Sequence, residues 1–168
     1  MVREYVASLL LLPAAGCSLI LDFSDKAIPK DARPDAPYTQ AECDYKEPND
    51  TAATAAAITP ADTGPAAICA GAVDDHDFYK ITVPAATTKV EIRISYMYLN
   101  GDIDLRLDDK SGATTMPQSR GFGNEEVIVC PGASPMCPAL AAGDYVFEVF
   151  PAVAGSVNAY TIAFALTP

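Results

Sequence analysis

Six stretches of this chain alternate in polarity with a period of two residues, and no other feature restricts its fold as tightly. They are Phe78-Tyr79-Lys80-Ile81-Thr82-Val83, Lys89-Val90-Glu91-Ile92-Arg93-Ile94, Asp102-Ile103-Asp104-Leu105-Arg106-Leu107, Glu126 to Val129, Tyr145 to Phe150 and Tyr160 to Leu166. Side chains of a β-strand point alternately to its two faces, so such runs read as strands with one face buried and one wetted. Turn-forming residues fall between them: Asn100-Gly101, Lys110-Ser111-Gly112, Gly121-Phe122-Gly123-Asn124 and Ala142-Gly143-Asp144. With Ala66 to Ala70 as a further strand, the pattern predicts an all-β, antiparallel sandwich of about eight strands. The one helical candidate is the alanine-rich run Asp50 to Ile58, with Asp50 as its cap.

Charge removes several functional classes. Eleven basic against 22 acidic residues give a formal charge of −11. A chain this acidic, without a cluster of cations, is repelled by a phosphate polyanion, so nucleic acid is excluded as a partner. Disorder throughout would need low hydrophobicity as well as high charge, yet half the residues are apolar. The length suits a single hydrophobic core, and a monomer is expected.

The N-terminus supplies an address. Arg3 is followed by the apolar run Tyr5 to Leu12 and then by Pro13-Ala14-Ala15-Gly16-Cys17. The apolar run is too short to span a hydrocarbon core, which takes about 20 residues, and it has the form of an export signal. Ala14-Ala15-Gly16-Cys17 resembles a bacterial lipobox, which implies that Cys17 is diacylated and becomes the mature N-terminus. The membrane is then a partner through the lipid, and Ser18 after the cysteine points to the outer rather than the inner membrane of a bacterial cell envelope. Residues 1–16 are expected as the lipoprotein signal peptide. Residues 17–42, spaced by Pro29, Pro34 and Pro37, are expected as a flexible, disordered tether. Residues 43–168 form the sandwich domain.

Removing Cys17 from the count leaves four cysteines in an oxidising compartment, where disulfides persist. Four cysteines can pair in three ways. The favoured pairing is Cys43 with Cys69 and Cys130 with Cys137, because the second pair brackets the turn-rich Pro131 to Met136. Loop-closure entropy assigns about 3.5 kcal/mol to the longer loop and about 2.5 kcal/mol to the shorter. Zinc ligation is the alternative, but the spacing and the lone His76 do not suit it.

Four motifs occur in order: Glu47-Pro48-Asn49-Asp50-Thr51-Ala52-Ala53-Thr54-Ala55, Asp75-His76-Asp77-Phe78-Tyr79-Lys80-Ile81, Asp102-Ile103-Asp104-Leu105-Arg106-Leu107-Asp108 and Ala142-Gly143-Asp144-Tyr145-Val146-Phe147-Glu148-Val149. Together they resemble the bacterial pre-peptidase C-terminal domain. That family is a jelly-roll β-sandwich appended to many secreted peptidases and related to the collagen-binding domains of clostridial collagenases. The resemblance spans residues 43 to 166 and implies a jelly-roll-like sandwich. The resemblance is to the appended domain and not to the peptidase, so no proteolytic activity is expected to carry over.

Calcium takes six to eight oxygen ligands in irregular geometry, and two oxygen-rich clusters stand out: Glu47, Asn49 and Asp50, and Asp74, Asp75 and Asp77. The resemblance implies that Glu47, Asn49, Asp50, Asp75 and Asp77 combine around calcium. The same residues also serve routinely as turn caps and strand-end solvation. Asp102 and Asp104 are expected to point their carboxylates to one face beside a turn. Catalysis has little to stand on, with one histidine and no nucleophile elbow. Tyr96, Met97 and Tyr98 form either a binding patch or part of a strand's core face. The expected function is a lipid-anchored, non-catalytic envelope module, stabilised by calcium, that recognises a protein or polysaccharide. Two alternatives remain open: a small metal-dependent hydrolase using the Asp75/Asp77 cluster, and a purely structural spacer.

Overall fold

Each alternating run becomes a strand. A computed structural model describes residues 36, 38–71, 75–109 and 115–168. In chain order its elements are helix α1 (Gln40–Cys43) and strands β1 (Ala56–Ala57), β2 (Pro65–Ile68), β3 (Asp77–Val83), β4 (Lys89–Tyr96), β5 (Ile103–Asp109), β6 (Thr115–Ser119), β7 (Glu125–Cys130), β8 (Gly132–Ala133), β9 (Met136–Cys137), β10 (Gly143–Pro151) and β11 (Asn158–Thr167). Cys17, the signal peptide and residues 17–35 of the expected tether lie outside the described residues.

Two sheets form the sandwich, one in the order β1-β3-β10-β5-β6 and the other β2-β11-β4-β7, with β8 and β9 as a separate hairpin. Pairing is antiparallel except at the edge, where two-residue β1 runs parallel to β3. The register carries the sequence alternation into the third dimension. Phe147 sits between Tyr79 and Leu107 across β3, β10 and β5. Opposite it, Ile92 sits between Phe164 and Ile128. These side chains, with Ile81, Leu105, Val149, Ile94, Tyr160 and Ile162, make one continuous core. Burying each large apolar side chain contributes about 1.5–3 kcal/mol, and this is what selects the register, since a one-residue slip would turn every one of them to water.

Two local expectations change. Asp50 to Ile58 is a series of turns ending in β1 rather than a helix, because a two-strand ladder with β3 satisfies its last backbone groups better than one unsupported helical turn would. The short helix lies earlier, at α1, inside the stretch expected as tether. Thr39 caps it with a reciprocal box in which Thr39 Oγ1 accepts from the Glu42 amide and the Glu42 carboxylate accepts from the Thr39 amide. Tyr38 is fixed too, its hydroxyl accepting from the Ala70 amide at 2.9 Å. The folded part thus starts a few residues ahead of Cys43. Both disulfides form as expected, Cys43–Cys69 and Cys130–Cys137. Among the described residues no helix is long and apolar enough to cross a membrane.

Candidate metal centre

Three chain segments meet where β3 begins. The first, residues 47–50, is docked by the Phe78 amide, which donates to the Asn49 carbonyl at 2.9 Å. The second, around Asp75, is tied to the end of β2, since the Cys69 amide donates to Asp75 Oδ2 at 2.7 Å. The third is β3 itself, whose inward parity carries Asp77 beside Tyr79 and Ile81. Cys43–Cys69 holds the first two segments together.

As a result a ligand oxygen from each of Glu47, Asp75 and Asp77 lies within 4.8 Å of the other two. Asn49 is fully buried among them. With its amide nitrogen facing the carboxylates, Asn49 donates to Asp77 Oδ1 at 3.2 Å and to Glu47 Oε1 and Oε2 at 2.8 and 3.0 Å. Turned over, the same amide presents its oxygen to that space. Asp77 is only 2% exposed, and its other oxygen accepts from the Tyr160 hydroxyl, which is itself 2.8 Å from the Tyr79 hydroxyl. Four of the five residues expected to act together are therefore brought together. Asp50 is exposed and stands outside the three-carboxylate group, although it lines the same cleft of about 490 Å³ with Gln40, Asp44, Glu47, Asp75 and His76. Asp74 lies outside the described residues.

Crowded acids in a dry place resist ionising. Burial raises the Asp77 carboxyl well above its ordinary value, with Asp75 and Glu47 adding repulsion. Burial also raises Asp75, reinforced by Asp50, and raises Glu47, reinforced by Asp50 and Asp75. Elsewhere burial pushes Asp104 up to about 6, against the opposing pull of Arg120, and raises Asp108. The folded chain then holds protons that the unfolded chain has released. Stability present below the unfolded carboxylate range is lost as pH rises through the raised values, for Asp104 between about 3.9 and about 6. Asp62, lowered to about 2 by Lys46, acts in the opposite sense only below this window. In chelator, the melting temperature is expected to be higher at pH 5 than at pH 7.5, and an equal or lower value at pH 5 would contradict this account.

A second charged assembly, on the outer face of the β3-β10-β5 sheet, is one the sequence does not announce. Arg106 of β5 pairs with Glu148 of β10 and lies 3.3 Å from Asp108. His76 Nδ1 is 2.5 Å from the other Glu148 oxygen. Arg106 and Arg120 stand 5.5 and 5.2 Å from the Phe150 ring centroid, and His76 stacks between Phe78 and Phe150. Glu148 and Asp108 are 1% exposed beneath this layer. His76 is thus a paired residue instead of a freely solvated strand end. The signal for it was the run Asp104-Arg106-Asp108, whose shared parity places three charges on one face, but only the register sets Arg106 opposite Glu148. Asp104 does lie on that face, whereas Asp102 precedes the strand and accepts from the Tyr96 hydroxyl at 3.1 Å.

The fold and site define an all-β sandwich with three clustered acids at one end, Glu47 exposed, Asp75 half-buried and Asp77 buried. Among solved structures, the chain is similar to the pre-peptidase C-terminal domain of a collagenase from Bacillus anthracis, at a TM-score of 0.49 and 17% sequence identity, over 65% of this chain and 92% of that one. No protein-family model and no curated protein matches it.

Proposed function

We propose that this protein is a lipid-anchored, non-catalytic binding module of a bacterial cell envelope, with Cys17 as the lipidated residue and the outer membrane as its site, and that calcium stabilises its sandwich. The observation that carries the calcium assignment is the convergence of Glu47, Asp75 and Asp77 around the buried Asn49. Carboxylate and amide oxygens are the donors a hard cation prefers. A divalent ion would offset the mutual repulsion that adds to burial in raising these carboxyls, and the Asn49 amide, by turning its oxygen inward, would add a further ligand.

The same geometry supports binding over hydrolysis. A general base has to face its substrate. Asp77 is covered by Asn49 and engaged by Tyr160, which suits a ligand that fixes structure. The partner class is a protein or polysaccharide, not nucleic acid, and the chain acts as a monomer.

Calorimetric titration tests the central claim. Calcium added to chelator-treated protein is expected to release or absorb measurable heat and to raise stability by about 2.7 kcal/mol when free calcium is a hundredfold above its dissociation constant. Absence of both heat and a thermal shift would reject calcium and favour the purely structural spacer.

A further inference from the structure

The two disulfides have different surroundings. Cys130 and Cys137 are 1% and 3% exposed and belong to the core. Cys43 and Cys69 are half-buried and line the same cleft as Glu47, Asp50 and Asp75. A small thiol can enter that cleft, whereas Cys130–Cys137 is reached when its packing opens, and access governs thiol–disulfide exchange.

The accessible bridge also ties the acid-bearing segments to each other. The Cys69 amide donates to Asp75 Oδ2 at 2.7 Å. Cys43 precedes by four residues Glu47, whose carboxylate accepts from the Asn49 backbone amide at 2.8 Å. The bridge thus fixes one segment against another 26 residues away in the chain. Opening it spares the core: α1, which ends in Cys43, buries no residue, and β2, which ends just before Cys69, stays paired with β11. Asn49 stays held by the Phe78 amide and Tyr45 stays packed on the core. Around them, the Lys46–Asp62 ion pair at 2.7 Å and the Tyr38–Ala70 hydrogen bond are partly exposed ties of small strength. The segment is loosened, not lost.

We infer that Cys43–Cys69 is a redox switch on the acid cluster: closed, it sets Glu47 against Asp75 and Asp77 for a divalent cation, and opened by a dithiol it frees Glu47 and weakens that binding, a coupling that rests on the calcium assignment proposed above. A thiolate of the dithiol attacks one cysteine sulfur and displaces the other, and its second thiol then releases the first, closing a disulfide in the reductant. Two electrons and two protons pass to Cys43 and Cys69, which end as thiols. Linkage makes the effect reciprocal, so bound calcium favours the closed bridge by the factor through which opening weakens calcium. Asp44, Glu47, Asp50 and Asp75 around the cleft repel an incoming thiolate, so the position of the redox equilibrium, not its rate, reports the coupling.

In the full chain bearing Cys17→Ser, every remaining cysteine belongs to one of the two bridges. In buffers of reduced and oxidised dithiothreitol, followed by iodoacetamide trapping and peptide mass mapping, Cys43 and Cys69 are expected to be alkylated. Cys130 and Cys137 should stay paired, with the strand signal in circular dichroism unchanged. Calorimetric titration should then give a calcium dissociation constant about fivefold or more higher for the chain held reduced than for the oxidised chain, reversing on reoxidation. Saturating calcium should raise the reduced-to-oxidised dithiothreitol ratio needed for half opening by a similar factor. The double variant Cys43→Ser with Cys69→Ser should show the weakened affinity with or without the dithiol. Equal affinity in both redox forms, with clear binding in the oxidised one, would overturn the switch and leave the calcium assignment standing. No binding by the oxidised chain would overturn both. Opening of Cys130–Cys137 first or at the same time, or loss of the strand signal on reduction, would mean general unfolding and would also overturn the switch.

Discussion

Replacing Arg106 with alanine is expected to lower the unfolding free energy by about 3 kcal/mol in urea denaturation at pH 7. Arg106 is the cation shared by Glu148 and Asp108. Both carboxylates are 1% exposed, so removing it leaves two negative charges facing each other out of reach of bulk water. Its guanidinium also covers Phe150, and that packing would be lost with the charge. The value belongs at the lower end of what breaking a buried pair costs, because part of the Arg106 side chain meets solvent. Combining Arg106→Ala with Glu148→Gln should recover much of the loss by removing one of the orphaned charges. A cost below about 1 kcal/mol, typical of exposed ion pairs, would mean that water screens this face and that its charges do not act as a buried set.

Asp77→Asn is expected to have opposite consequences in the presence and absence of calcium. In chelator at pH 7 the variant should be at least as stable as the parent, because a buried carboxyl that resists ionising is replaced by a neutral group that can still accept from Tyr160. With calcium the parent should gain stability and the variant should not, a separation of about 2.7 kcal/mol at a hundredfold excess over the parent's dissociation constant. Thermal melts of both proteins in both conditions read the effect. A variant that is destabilised in chelator, or that keeps the full calcium shift, would remove Asp77 from the ligand set.

Strands were legible in the sequence because alternation is local. The runs beginning at Phe78, Lys89, Asp102, Glu126, Tyr145 and Tyr160 all became strands, displaced by a residue or two at their ends. What alternation does not encode is who pairs with whom. The placement of β10 between β3 and β5, which joins residues far apart in the chain, comes from packing the two apolar faces together. For the same reason the metal candidates were found as two separate clusters, while their meeting needed the Phe78–Asn49 hydrogen bond and the Cys43–Cys69 bridge. His76 shows the limit most plainly. Flanked by two aspartates it reads as solvated, yet its partner is Glu148, 72 residues away in sequence. Tyr96, Met97 and Tyr98 divide as strand geometry demands, with Tyr96 in the core and Met97 turned out at the strand's end. Strand β6 had no alternating signature, Pro117 interrupting its run, and it stands at a sheet edge where proline is tolerated.

The Cys43–Cys69 bridge has a mechanical meaning. If the domain is held through its N-terminal segment while its surface grips a partner, tension enters at Cys43 and passes directly across the sulfurs to Cys69, then onward into β3. Residues 44–68, which include β1 and β2, lie off this covalent route, so the pull bypasses them. Glu47 and Asn49 lie within that stretch, so the mouth of the acid cluster would keep its shape while the attachment is stretched, and only reduction of the bridge would place it under load.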